Sequence, residues 1–363
     1  MDIEIQSTIL NKSNIDKITA IWAFSEAALG GILHLLKIPF TGLFVGSAAV
    51  IFISLIAYFS NSRKIIFESV IKVILVKFVV SPYTPLNAYF AVMFQCLLGY
   101  ILFFNGFNKI SPIILGLFAL LFSAFQKVFV LTIIFGMTLW ESIDVFFKFV
   151  VNAFGADSLG IEKINVSYVI VGTYTFIHII GGLAAGIYAS KLPKRISLQN
   201  ADDINLMNLE INDFLNSGIS KKEKRTWWKK RFYISIFIFS VMLIVLSYLF
   251  KEVDQTITAK VIIMLFRSIL IIVVWYYFIS PLMLKFLNKY LAKRKKYQAA
   301  EIENIISIFP NIKAIIKYSW SESENIKGIK RILIFMDKVL IHYLLFEKYY
   351  QNEYNFCNKG LFT

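Results

Sequence analysis

The chain predicts an all-α integral membrane protein: a six-helix transmembrane bundle followed by two further transmembrane helices and cytoplasmic amphipathic helices. Three observations carry this. Of 363 residues, 58% are hydrophobic and only 17% are charged, where a soluble domain carries roughly 25% charged residues. Hydrophobic stretches of about 20 residues recur, the length that crosses a bilayer as a helix. Lysine and arginine collect just outside those stretches, as topology signals and headgroup contacts do. That distribution also argues against nucleic acid as the partner of the formal net charge of +15.

In chain order, span 1 reads as 18–38, closed by Pro39, and span 2 as 40–60. Span 3, at 64–81, is the least apolar because of Glu68, Lys72 and Lys77, so a partly interfacial position suits it. The turn Ser81-Pro82-Tyr83-Thr84-Pro85 ends it. Span 4, at 87–105, stops at Asn105-Gly106, and span 5, at 111–137, opens on Ser111-Pro112, with proline in the first turn of a helix. Span 6 covers 164–190, and two more spans read at 232–250 and 259–283. The resulting domains are 1–192, a six-helix membrane domain; 193–230, a basic cytoplasmic linker; and 231–363, two membrane helices with cytoplasmic amphipathic helices. Asp2, Glu4 and Asp16 replace the basic start of a secretory signal, so the first helix is expected to be retained.

Charge then orients the bundle. Arg63 and Lys64 follow span 2, Lys109 follows span 4, and Lys191, Lys194 and Arg195 follow span 6, whereas the opposite connections hold fewer cations. Positive-inside reasoning puts both termini in the cytoplasm of a multi-pass protein of the cytoplasmic (inner) membrane. Segment 141–163 then faces outside, and its apolar 145–151 stretch suits the membrane surface or a cap on the bundle. The linker ends in Lys221-Lys222-Glu223-Lys224-Arg225-Thr226-Trp227-Trp228-Lys229-Lys230-Arg231. Beside a hydrophobic span this basic-aromatic run reads as an anchor for anionic lipids. After Lys293-Arg294-Lys295-Lys296, apolar residues at helical spacing over 301–318 and 329–346 predict amphipathic helices, lying on the membrane or against a protein.

Catalytic and cofactor motifs are missing. Neither GxxxxGK[ST] nor GxSxG occurs, so nucleotide hydrolysis by the P-loop route is excluded and no cofactor is expected. His34, His178 and His342 do not share a helix at metal-ligand spacing, and two of them with Glu26 make only a weak metal set, so none is assigned. Cys96 and Cys357 read as free thiols.

The polar residues inside spans are more informative once sorted by depth. His34 falls about 6 Å below the outer end of its helix, Gln95 about 12 Å, and Lys127, beside Gln126, about 15 Å. Glu26 and His178 sit about 18–21 Å down, and Lys77 lies near the outer end of span 3. Together with Tyr83 and Asn87 from the outer turn, these residues converge on a substrate pocket open to the outside. Two cations, Lys77 and Lys127, favour an anionic or carboxylate-bearing ligand.

Other uses stand beside this one. Lys77 and His34 can snorkel to the interface. Gln95 and Gln126 can be interhelical hydrogen-bond glue. Glu68 and Lys72 are spaced as a helical ion pair. Lys127 and Glu26 can be site residues or a core ion pair, since a charge at mid-membrane needs a partner or water. Arg267, inside span 8, needs an acidic partner or a lipid phosphate. Ala23, Ala27 and Gly31 recur every four positions, a narrow stripe suited equally to packing inside the bundle or to docking a separate subunit. Gly182-x-x-x-Gly186, after His178, reads as a close helix crossing.

The Ala23-x-x-x-Ala27 stripe on the first of six helices, with a pocket toward the outside, resembles the substrate-binding S-component of energy-coupling factor (ECF) vitamin transporters over 1–192. The resemblance implies that the stripe docks a T-component, that ATP-binding-cassette ATPases energise uptake, and that a small vitamin-like molecule is the ligand. Residues 231–363 are faintly similar to the coupling region of a T-component but lack its Ala-Arg-Gly triplets. Two other classes remain open. One is an integral-membrane enzyme on a lipid or isoprenoid, using Glu26, His34 and His178 as acid and base. The other is a membrane scaffold or assembly protein.

Overall fold

In the computed structural model, every regular element among the described residues is a helix. The structure describes residues 2–35, 40–60, 62–81, 86–153, 165–197 and 255–345. The expected span at 232–250, the linker beyond residue 197, Tyr83 and Cys357 lie outside these residues.

Helix α1 (Asp2–Phe24) continues through a π-turn (Ser25–Leu29) into α2 (Gly30–Leu35). Then come α3 (Thr41–Phe59), α4 (Lys64–Val80), α5 (Leu86–Leu102), α6 (Ser111–Phe135), α7 (Thr138–Ala153) and α8 (Val166–Ser197). Beyond them lie α9 (Gln255–Val274), a second π-turn (Trp275–Ile279), α10 (Ser280–Ser307), α11 (Phe309–Glu322) and α12 (Ile329–Leu345). Three of these, α3, α6 and α8, are long and apolar enough to cross a membrane. Fewer described helices qualify than the six-plus-two reading expects. Both α4 and α5 are 17 residues long, and α4 carries Lys64, Glu68, Lys72 and Lys77. Span 1 is also larger than expected, because its helix begins at Asp2.

Two compact units divide the chain. The first comprises Met1–Phe125, Thr175–Gly218 and Lys289–Thr363. Here α1 packs on α3 and α4. Thr19 Oγ1 meets Ser69 Oγ at 3.1 Å, and further along the same two helices Lys77 meets Glu26. Both sets of numbers rise together, so α1 and α4 run parallel. Ala23 and Ala27 are buried. Small residues set the α6–α8 crossing, where a Cβ on Gly182 would lie 2.4 Å from the Gly116 carbonyl oxygen. Backbones approach that closely only where no side chain intervenes. At the start of α6, the Asn108 side chain accepts the Ser111 N–H at 2.7 Å, satisfying one donor that a helix start leaves open.

The amphipathic pair α11 and α12 forms a hairpin in the same unit, turning at Gly328, whose φ of +70° suits glycine. Ile312, Ile315, Leu340 and Leu344 are buried. Ser319 Oγ lies 3.1 Å from His342 Nδ1, and Lys338 pairs with Glu322. The base of the hairpin sits on α1: the Phe24 and Phe309 rings meet edge to face at 5.1 Å, and Lys17 donates to the Leu344 carbonyl at 3.0 Å. Arg195, at the end of α8, pairs with Asp337. Lys72 does not pair with Glu68. It reaches Asp16 at 3.6 Å and Glu301 at 3.2 Å, because its side chain points toward α1 and α10 while Glu68 stays exposed.

The second unit comprises Gln126–Tyr174 and Ile219–Asn288. Gly136, with φ +75°, ends α6, and Trp140 Nε1 donates to Thr132 Oγ1 at 3.0 Å across that turn. Asp144 of α7 accepts from the Ser167 N–H and hydroxyl, both at 2.7 Å, and so caps α8 from another helix. Arg267 of α9 makes no ion pair among the described residues. Its guanidinium lies against Gly136, where a Cβ would come within 2.9 Å of Nη1.

Candidate polar site in the first unit

The site grows from one break in helical geometry. At Ser25–Leu29 the α1 backbone widens to a π-turn, with the Gly30 N–H bonded to the Ser25 carbonyl. Ser25 Oγ donates to the Trp22 carbonyl at 2.9 Å. An inserted π-turn rotates the residues that follow relative to those before, and such turns concentrate at functional sites. Here the turn carries Glu26 into the helix interface, where it is 1% exposed.

Lys77 reaches Glu26 from the last turn of α4, with Nζ 2.6 Å from Oε2 and only 3% of the residue exposed. The two charges form a short, charge-assisted hydrogen bond, the form in which ions tolerate burial. The Tyr89 ring of α5 stands 5.7 Å from the ammonium and offers its negative face. The second carboxylate oxygen, Glu26 Oε1, has no hydrogen-bond partner among the described residues, nor has the indole Nε1 of Trp22, one turn earlier and fully buried. An open acceptor and an open donor thus sit four positions apart on one helix.

No family model, no curated protein and no solved structure matches this chain. The chemistry of the site rests on its own geometry.

Gln95 is buried on α5, on the same face as Tyr89, Val92 and Cys96. Its amide nitrogen would stand 3.4 Å from a Cβ placed on Gly46 of α3, and its Oε1 has no hydrogen-bond partner among the described residues. His178 is wholly buried on α8, its ring 6.2 Å from that of Phe40. The structure therefore joins Glu26, Lys77 and Tyr89 in one cluster and buries Gln95 and His178 elsewhere in the same unit. Asn87 is exposed at the start of α5. His34 lies on α2. Gln126 and Lys127 belong to the second unit, where Lys127 is exposed, so the ionic partner of Glu26 is Lys77. Gly31 lies on α2, 3.9 Å (from a Cβ placed there) to Ser81 Oγ.

Trp22 is absent from the residues that sequence reasoning selected. Its signal was available: an indole N–H four positions before a buried carboxylate, on the same helical face. Among the described residues no group of three or more His, Cys, Asp or Glu side chains is arranged to hold a metal ion.

Proposed function

We propose that the chain is a multi-pass protein of the cytoplasmic membrane, with both termini in the cytoplasm, that binds a small hydrophilic molecule in its first unit and takes part in its uptake. In this reading α1 with α2, α3, α4, α5, α6 and α8 are the six spans, and α9 with its continuation supplies one of the further two. The chain carries no nucleotide-hydrolysis motif. A separate ATP-binding-cassette module is the proposed energy source, in keeping with the resemblance to S-components.

The buried Glu26–Lys77 pair supports this reading most. A bundle whose only task is to pack loses nothing when a buried ion pair is replaced by apolar side chains. Ionisable groups kept inside membrane helices mark the path or site of a polar solute. The open oxygen of Glu26 and the open N–H of Trp22 offer such a solute hydrogen bonds of both polarities. An anionic group of the solute would share the desolvated Lys77 ammonium with Glu26.

Mass spectrometry of small molecules released from the purified, denatured protein tests the proposal. A water-soluble compound with an acidic or zwitterionic group, released in near-stoichiometric amount, is the expected result. Release of lipids or isoprenoids alone would turn the assignment toward a membrane enzyme.

A further inference from the structure

The α11–α12 hairpin is held at its base and open at its tip. Trp320, Ile332 and Leu333 are 46%, 53% and 51% exposed, whereas Ile312, Ile315, Leu340 and Leu344 of the same hairpin are buried. Arg331 lies over the Trp320 ring at 4.0 Å and donates to the Trp320 carbonyl at 3.4 Å, so cation and indole form one unit. The Phe335 ring packs edge-on against the same indole at 5.1 Å.

Charge sharpens the picture. Over 309–345 the cations are Lys313, Lys317, Lys327, Lys330, Arg331 and Lys338, and the anions are Glu322, Glu324 and Asp337. Lys338 pairs with Glu322, and Asp337 with Arg195. Among the described residues the other five cations form no ion pair, and Glu324 is the one carboxylate of 309–345 outside these pairs. The Arg195–Asp337 pair also sets the level of the hairpin. Arg195 lies one residue before the end of Val166–Ile196, a segment long and apolar enough to cross a membrane. Ile332 and Leu333 precede Asp337 by four to five residues, about 6–8 Å along the helix axis.

We infer that the tip of this hairpin is a docking surface for an anionic phospholipid bilayer, inserting Trp320, Ile332 and Leu333 among the headgroups while Lys317, Lys327, Lys330 and Arg331 contact lipid phosphates. Exposed aliphatics beside an indole and lysines are the composition of an interfacial anchor. The core of a protein interface is depleted in lysine. Anionic leaflets attract such basic clusters within a Debye length of the surface.

The test uses the full-length protein in lipid nanodiscs, with Leu333→Cys carrying a nitroxide on a Cys357→Ser background. Cys96 is buried and stays unlabelled. In discs containing phosphatidylglycerol, the label becomes several-fold less accessible to a water-soluble nickel relaxant than in purely zwitterionic discs. Lys327→Glu with Lys330→Glu abolishes that difference. Equal accessibility in both kinds of disc, or protection that appears only when a protein partner is added, overturns the inference. Hydrogen exchange of 317–333 in the unsubstituted protein provides an independent reading: protection in anionic discs supports lipid docking, and unchanged exchange refutes it.

Discussion

Glu26 and Lys77 hold each other in place. Removing one leaves the other as an uncompensated charge between helices, which costs about 3–5 kcal/mol in buried pairs, whereas replacing both with neutral side chains of similar volume costs little. Lys77→Met is therefore expected to lower the unfolding midpoint in detergent sharply, and Glu26→Gln with Lys77→Met to restore most of it. Asp144 gives a second prediction at this scale. Burial pushes its carboxyl up, but the backbone and hydroxyl hydrogen bonds from Ser167, the Val166 N–H and the Lys148 charge together outweigh that and hold it below its ordinary 3.8. A carboxyl depressed in the folded state stabilises the fold above its unfolded value, and that contribution disappears as pH falls through the lower folded value. The melting difference between the unsubstituted protein and Asp144→Asn is thus expected in full at pH 6. It should shrink as pH falls below about 4 and vanish when the carboxyl is protonated in both states. A difference that does not change with pH would remove Asp144 as a charged cap of α8.

Helices α6 and α8 meet glycine to glycine. A Cβ at Gly182 would sit 2.4 Å from the Gly116 carbonyl oxygen, so Gly182→Ala must push the two backbones apart. Overpacking of this kind costs about 1–3 kcal/mol. Gly172→Ala, on the same helix with nothing within 4 Å of the new carbon, is the control and should leave the melt unchanged or slightly raised. Equal effects at both positions would contradict the crossing. Several helix ends were legible from the sequence, although the helix of span 8 runs on to Ser307 and the 301–318 stretch is divided between α10 and α11. Span 2, read at 40–60, is α3 at Thr41–Phe59, and span 5, read at 111–137, is α6 at Ser111–Phe135. Pro39, Ser111-Pro112 and Gly136 punctuate the chain there, and the intervening residues are mostly apolar. The start of α1 was not legible. Span 1 was read from residue 18, yet the helix begins at Asp2, and just before that position Asp16 pairs with Lys72 and Lys17 donates to the Leu344 carbonyl. The π-turn left no periodic mark either, since five residues are too few to shift a hydrophobic pattern visibly.

At the scale of the molecule, polar residues from several helices were foreseen as one constellation, and the structure gathers only part of it. Depth along a span follows from residue count, but azimuth does not. Lys77 and Glu26 are separated by 51 positions, and nothing local to either identifies the other. Topology carries the next prediction. If both termini are cytoplasmic, a cysteine introduced at Ser158 reacts with an impermeant thiol reagent added outside the cell, and one at Ser217 does not. The reverse pattern would invert the membrane orientation proposed for every helix.

In the proposed function the Glu26–Lys77 pair is kept for a solute and not for the fold. This is tested most directly by the doubly neutral variant, Glu26→Gln with Lys77→Met, purified beside the unsubstituted protein and assayed for both melting and bound solute. The expected result is a melting midpoint close to that of the unsubstituted protein together with loss of the co-purifying molecule. A well-folded double variant that retains the same molecule in the same amount would show that the pair does not hold the solute.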